Sequence, residues 1–335
     1  MNGAGEAPLR ARPSFSWTSP AQKRRVARSM DLVEERLATI AGEYPGQLGE
    51  ACRATLSAGG KRVRPLLTLL CARRGAAPAE NVLRAAVSVE LLHMATLVHD
   101  DVLDRAELRR GKPTVVHRYG PATAVSTGNY LLARSFSELV GAGCPEAVDL
   151  LSATAVGLSE GEVLQRAEAN DVTIVVEQYV RRCERKTADL FAAACGLGAL
   201  LSGAGDETVG AVGSFGRLIG LAFQVLDDIL DCSGDQAATG KRPGTDVRDG
   251  TITLPMIHAL EARPELSEIL RRPGPSDADV DVVLLAVEET GALKRARADA
   301  LRYIEEARAV LAACPDTVER GLLVQVAEQV VDRYS

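Results

Sequence analysis

Two acidic clusters, Asp100-Asp101-Val102-Leu103-Asp104 and Asp227-Asp228-Ile229-Leu230-Asp231, share one spacing, and each closes an apolar helical run. Val87, Leu91, Met94 and Val98 recur at i, i+4, i+7 and i+11 into the first cluster. Leu218, Leu221, Ala222, Val225 and Ile229 form a similar stripe into the second. Residues four apart lie on one helix face, about 6 Å apart along the axis. Three carboxylates crowded there beside an apolar surface either take up protons or share a cation. The pattern constrains the fold, because two apolar helices must bring their acidic ends to a common cavity. Several hard cations fit such a place, and Mg²⁺ suits it when phosphate oxygens complete its shell. These residues imply an enzyme that grips a diphosphate through metal ions.

The rest of the chain agrees with a helical frame. Of 335 residues, 46% are hydrophobic but only 4% aromatic, so Ala, Leu and Val fill the interior and packed helices are favoured over sheets. Helical periodicity runs over 21–43, 62–75, 122–142, 145–168, 173–200, 251–262, 277–314 and 317–333, and convincing strand alternation is absent. Breakers at 201–208, 232–250 and 263–276 read as surface loops. No solenoid-type repeat is found, and the acidic helices, 127 positions apart from Asp100 to Asp227, hint at quasi-duplication inside one bundle. The expectation is one all-α domain over 21–335. A flexible arm at 1–20 precedes it, with Phe15 and Trp17 as candidate docking points.

A net charge of −6 argues against a general nucleic-acid binder. Basic residues nevertheless cluster at Lys61–Arg64, Arg105–Lys112, Arg181–Lys186 and Lys241-Arg242, which fits a small anionic substrate. Seven cysteines without a C-x-x-C pair fit a reducing cytoplasm and neither a disulfide framework nor a zinc site. The Met1–Met30 segment has no apolar signal-peptide core, and no uninterrupted apolar run reaches membrane-spanning length. A soluble, cytoplasmic protein is expected.

Each D-D-x-x-D alone is as compatible with a solvated helix end as with a site. Two copies, with Val102, Leu103, Ile229 and Leu230 inside them, point to buried helices whose acids aim inward. Arg109-Arg110-Gly111 follows the first cluster, and guanidinium forks match phosphate oxygens, although a solvated basic loop is the bland alternative. Gly59-Gly60-Lys61-Arg62-Val63-Arg64-Pro65 sets cations at the start of an apolar helix, where free N–H groups also attract anions. Lys186-Thr187 offers one charge and one hydroxyl, and Gln224 lies three residues before Asp227 on nearly the acids' face. His93 and His99 share the first acidic helix; a satisfied core histidine is the default, and His93 is the better functional candidate. No H-E-x-x-H or G-x-S-x-G is present, and Gly240-Lys241-Arg242 lacks the Ser or Thr of a P-loop, so nucleotide-driven chemistry is not expected.

Together, GGKRVRP (59–65), ELLHMATLVHDDVLDRAELRRGKPT (90–114), GEVLQ (161–165), KTADLF (186–191), FQVLDDILD (223–231) and GKRPGTDVRDGTITLP (240–255) resemble the trans-polyprenyl diphosphate synthases in order and spacing. The resemblance covers nearly all of the chain beyond residue 30. It implies an all-helical bundle around a deep central cavity, usually as a homodimer. Carried over, Asp100 and Asp104 would bind Mg²⁺ on an allylic diphosphate with Asp101 beside them, and Asp227 would hold a further Mg²⁺, supported by Asp228 and Asp231. Arg109, Lys186, Thr187, Gln224 and Lys241 would contact the allylic diphosphate; Lys61, Arg64, His93 and Arg110 would hold isopentenyl diphosphate. The implied chemistry is ionisation of the allylic C–O bond, attack by the isopentenyl double bond, and loss of a proton to the released diphosphate. No side-chain nucleophile is required. The chain departs from the family pattern at Thr251, where Lys is frequent, and at Asn129, where Asp is frequent.

Short-chain members of that family tend to carry an aromatic residue four or five positions before the first aspartate. Here Thr96 and Ala95 stand there, with Leu92 and Ser88 deeper, which leaves a tunnel open and implies a medium- or long-chain product, beyond fifteen carbons. The alternative is a shorter-chain geranylgeranyl or farnesyl diphosphate synthase whose stop lies elsewhere. A class I terpene cyclase would usually carry an N-S-E-like second motif and an aromatic-lined pocket. A non-catalytic partner subunit would typically lose one acidic cluster or the Arg-Arg-Gly. Obligate pairing with a different small subunit stays open.

Overall fold

The computed structural model describes residues 20–73, 79–233, 243–315 and 318–332. Helices α1 (Pro20–Gly42), α2 (Gly46–Ser57) and α3 (Val63–Cys71) lead into the long α4 (Glu80–Leu103). A two-residue hairpin pairs Leu108–Arg109 with Lys112–Pro113 before α5 (Val115–Tyr119), α6 (Pro121–Val140) and α7 (Pro145–Ala167). Helix α8 (Val176–Cys183) runs through a π turn (Glu184–Ala188) into α9 (Asp189–Leu201), and α10 (Asp206–Ser233) follows. The C-terminal part holds α11 (Thr245–Arg248), α12 (Leu254–Ala262), a 3₁₀ turn (Pro264–Leu266), α13 (Ser267–Leu270), α14 (Asp277–Glu289), α15 (Ala292–Ala313) and α16 (Arg320–Asp332).

Helix α4 is buried nearly all round, as expected of a helix apolar on every face. It separates two apolar layers. Leu91, Met94, Ala95 and Val98 pack with residues of α1, α2 and α6, whereas Leu92 and Val89 pack with α6, α7 and α9. A third and larger layer gathers α3, α8, α9, α10 and the C-terminal helices. Each fully buried Leu or Phe in these layers contributes roughly 1.5–3 kcal/mol. Local signals fix the helix ends: Pro121 and Pro145 open α6 and α7, where a missing N–H costs nothing. Ser276 Oγ accepts the Asp279 N–H at 3.2 Å while the Asp279 carboxylate accepts the Ser276 N–H at 3.1 Å, a capping box that starts α14.

The all-α expectation holds, with local differences. The 277–314 stretch is two helices, because Gly291 takes φ 71° and breaks the ladder between α14 and α15. The 173–200 stretch starts late, at Val176, and contains the π turn, and the 251–262 stretch becomes helical only at Leu254. Helix α2 was not anticipated, nor was the short hairpin. Two supposed loop regions contain α11 and α13. Lys241 and residues 1–19, with Phe15 and Trp17, lie outside the described residues. Helices α4 and α10 are long and apolar enough by length and composition to cross a bilayer, but Arg84, Glu90 and Arg217 interrupt them, and 72% and 50% of their apolar windows are buried within the protein.

Candidate active site

The first acidic cluster sits at the end of α4, where its three carboxylates fare differently. Asp101 is buried and accepts a hydrogen bond from Arg109 Nε at 2.7 Å. Asp104, the exposed C-cap, meets Arg166 Nη2 at 3.2 Å. Asp100 is half-buried between them. Burial first, with Glu162 and Asp104 adding negative charge, raises its carboxyl to about 6 against the pull of Lys186 and Arg109. Leu103 is 46% exposed, so the apolar residues within this cluster are less covered than their type suggested.

The second cluster closes α10. Asp228 is buried and both its oxygens are taken: the Tyr179 hydroxyl donates to one at 2.6 Å and Gln224 Nε2 to the other at 2.8 Å. Burial, with the neighbouring charge of Asp227, raises its carboxyl well above the usual range, although both hydrogen bonds oppose the shift. Asp231 caps α11 by accepting the N–H groups of Thr245 at 3.1 Å and Asp246 at 2.9 Å. Asp227 is exposed.

One turn of chain connects the two clusters. Within the π turn, Lys186 exerts its charge on Asp100 and donates to Glu162 Oε2 at 2.6 Å. The next residue, Thr187, donates to Gln224 Oε1 at 2.7 Å, and Gln224 in turn holds Asp228. A π insertion widens the turn and re-aims consecutive side chains, a device frequent at functional sites.

A small pocket of about 40 Å³ opens beside α4, lined by Gly59, Arg62, His93, Asp101, Arg109 and Arg110 among others. Burial first, then the positive charges of Arg64, Arg110, Arg62 and Arg109, holds the His93 imidazole well below its ordinary range, so the ring is neutral near pH 7. Burial and the charge of Arg110 bring Arg64 down to about 10 despite Glu90. Its guanidinium lies over the Phe191 ring at 4.4 Å, and its Nε finds no hydrogen-bond partner among the described residues. Such crowding of cations invites an anion. Arg62 is different in kind: it takes αL geometry (φ 49°) and spends its donors on Glu34 at 2.9 Å, Glu90 at 2.8 Å and the Leu56 carbonyl at 3.0 Å. That network anchors the 59–64 loop, leaving Lys61 exposed and Arg110 bonded to the Gly59 carbonyl.

Of the chain-length positions, Ala95, Leu92 and Ser88 are buried, and Thr96 is half-buried with its hydroxyl on the His93 carbonyl at 2.8 Å. Ser88 and Ser135 exchange hydroxyl-to-carbonyl bonds at 2.6 and 2.8 Å, locking α4 to α6. Three site-adjacent residues were missed by sequence reasoning: Tyr179, Glu162 and Arg166. Only Glu162 had a signal, in the matching GEVLQ segment.

The donor set at the acidic clusters consists of carboxylate oxygens, which suits a hard divalent cation such as Mg²⁺. The residue types therefore fit that ion, although among the described residues no group of three acidic, histidine or cysteine side chains is placed to hold a metal ion.

Comparison with known proteins agrees with the geometry. The polyprenyl synthetase family profile matches residues 45–287. Heptaprenyl diphosphate synthase component 2 of Geobacillus stearothermophilus is 40% identical over 296 residues, covering 88% of this chain and 92% of that one. Nonaprenyl diphosphate synthase of Mycobacterium tuberculosis is 37% identical over 307 residues, 90% of this chain and 91% of its own. The crystal structure of heptaprenyl diphosphate synthase from Staphylococcus aureus superposes with a TM-score of 0.88 at 30% identity, covering 92% of this chain and 99% of that one. Fold, site and matches define an all-α prenyltransferase. The chain belongs to the polyprenyl synthetase family.

Proposed function

We propose that the protein condenses isopentenyl diphosphate with an allylic diphosphate, in the presence of Mg²⁺, to give an all-trans medium- or long-chain polyprenyl diphosphate. The observation that carries this reading is the π turn, whose successive residues Lys186 and Thr187 serve the two acidic clusters beside a cation-rich pocket. The names of the heptaprenyl and nonaprenyl relatives support the chain length.

Asp100, Asp104 and Asp227 would hold Mg²⁺, with Asp101, Asp228 and Asp231 bracing the two helix ends. Bound there, the ion would neutralise a departing diphosphate. Arg109 and Lys186 would bind the allylic diphosphate, with Thr187 and Gln224 orienting it and Lys241 a further candidate. Lys61, Arg64, Arg110 and the neutral His93 would hold isopentenyl diphosphate by charge and hydrogen bonds. The apolar layers either side of α4 would keep water from the allylic cation. Ala95, Thr96 and Leu92 would border the growing chain.

Residues 21–335 are taken as one domain, supported by the packing of α1 on α4 and of α10 on α15. A soluble, cytoplasmic protein is the working reading, its solubility supported by the burial of α4 and α10, and a homodimer is what the family resemblance implies. The component 2 name of one relative favours a second reading, in which a different chain completes the enzyme.

The test is to incubate the purified protein with Mg²⁺, isopentenyl diphosphate and allylic primers of rising length, then size the products. Linear products beyond fifteen carbons are expected. Cyclic hydrocarbons, or no condensation by the protein alone, would overturn the proposal as stated.

A further inference from the structure

The GEVLQ segment resembles a family motif, yet nothing above gives its polar residues a role. In the structure α7 presses on the π turn at this point. A Cβ on Gly161 would stand 2.6 Å from the Lys186 amide nitrogen and 2.9 Å from its Cα, distances closed to every other residue. Gly161 thus permits a close approach that its neighbour uses. Glu162 Oε2 accepts from Lys186 Nζ at 2.6 Å, and Oε1 accepts from Arg166 Nε at 2.8 Å. Arg166 then reaches Asp104 Oδ1 at 3.2 Å. Both oxygens of Glu162 are committed, and the chain Lys186–Glu162–Arg166–Asp104 links the π turn to the first acidic cluster.

Coverage differs along that chain. The Glu162 side chain is only 17% exposed, while those of Arg166 and Asp104 are 47% and 52% exposed. Exposed pairs are weak and exchangeable, whereas a covered charge-assisted hydrogen bond holds geometry. The fixed point is therefore Glu162.

We propose that Glu162 is a positioning residue: it holds the Lys186 ammonium where an allylic diphosphate arrives and keeps it from collapsing onto Asp100. The inference rests on the prenyl-transfer reading. Without Glu162, Lys186 keeps Asp100 as an acidic neighbour, whose charge it already feels. Lys186 would then block a carboxylate that the cation needs. Affinity for the allylic substrate falls, and affinity for isopentenyl diphosphate, bound by other residues, does not.

The experiment measures binding of an unreactive allylic S-thiolodiphosphate with Mg²⁺, alongside KM for both substrates, in wild type, Glu162→Ala and Glu162→Gln. Because the binding arm needs no turnover, it reads this inference even if the proposed condensation fails. Glu162→Ala is expected to weaken analogue binding and raise the allylic KM by about tenfold, the scale of one charge-assisted hydrogen bond. The isopentenyl KM should stay within about twofold. Glu162→Gln, nearly the same shape and still offering an oxygen to Lys186, should recover most of the loss. In a Lys186→Ala background, Glu162→Ala should add little, since its effect passes through that lysine. Unchanged analogue binding in Glu162→Ala, an equal rise in both KM values, or full additivity with Lys186→Ala would each overturn the proposal.

Discussion

The two acidic clusters are spelled alike, yet the protein holds them in opposite ways. The first is surrounded by cations: Arg109 on Asp101, Arg166 on Asp104, and Lys186 beside Asp100. In the second, the described hydrogen bonds come from uncharged donors, with Tyr179 and Gln224 on Asp228 and backbone N–H groups on Asp231. Charged partners at a partly wetted site can be exchanged for a metal ion or handed to a phosphate. Buried neutral donors stay where they are, because removing one strands a carboxylate. One helix end is therefore responsive and the other is a fixed reference.

The largest test of this contrast removes one acid proposed to hold the metal from each cluster. Asp100→Ala and Asp227→Ala should each lower turnover by about a thousandfold or more without lowering the unfolding midpoint. Near-normal rates in Asp227→Ala would show that only the first cluster serves the chemistry. Next, Tyr179→Phe should destabilise the fold by about 1–3 kcal/mol in urea unfolding, whereas Arg166→Ala should cost about 0.5 kcal/mol or less. Equal costs would erase the distinction between fixed and exchangeable partners.

A pH series sharpens it further. The Asp100 carboxyl is raised to about 6, chiefly by burial, so protons compete with the cation at and below that pH. The half-saturating Mg²⁺ concentration should rise by up to about tenfold per unit as pH falls below 6. For metal-free protein the sign is fixed by the same upward shift: Asp100 contributes stability below the usual carboxylate range and loses it as pH rises through about 6. Thermal melts in chelator across pH 4–8, wild type against Asp100→Asn, would read that slope. The smallest expected change in rate belongs to Ala95→Phe. A ring in the packed layer beside α4 should shorten the products, as sized by chromatography, with turnover altered by about threefold or less.

Helices α4 and α10 were legible because both are long, apolar and strongly periodic, and their acids announce themselves by repetition. Helix α2 was not, since Gly46–Ser57 is short and follows Pro45 with few apolar residues to set a period. The break at Gly291 is visible only once its positive φ is known. The acids' differing partners were beyond reach for a simpler reason. Tyr179 lies 49 residues from Asp228 and Glu162 lies 24 from Lys186, and only tertiary packing joins them. The cations expected around a diphosphate do gather in part, as His93, Arg109 and Arg110 share one pocket, but Arg62 between Lys61 and Arg64 proved to be an anchor.

The wide turn at Glu184–Ala188 carries a liability that a regular helix would not have. Deleting a single residue there would restore ordinary winding and swing the preceding segment by about 100° relative to the next. Lys186 and Thr187 could no longer address both triplets, and Tyr179 would rotate away from Asp228. A length-changing mutation at this spot would thus disconnect two halves of the proposed active site without touching any acidic side chain.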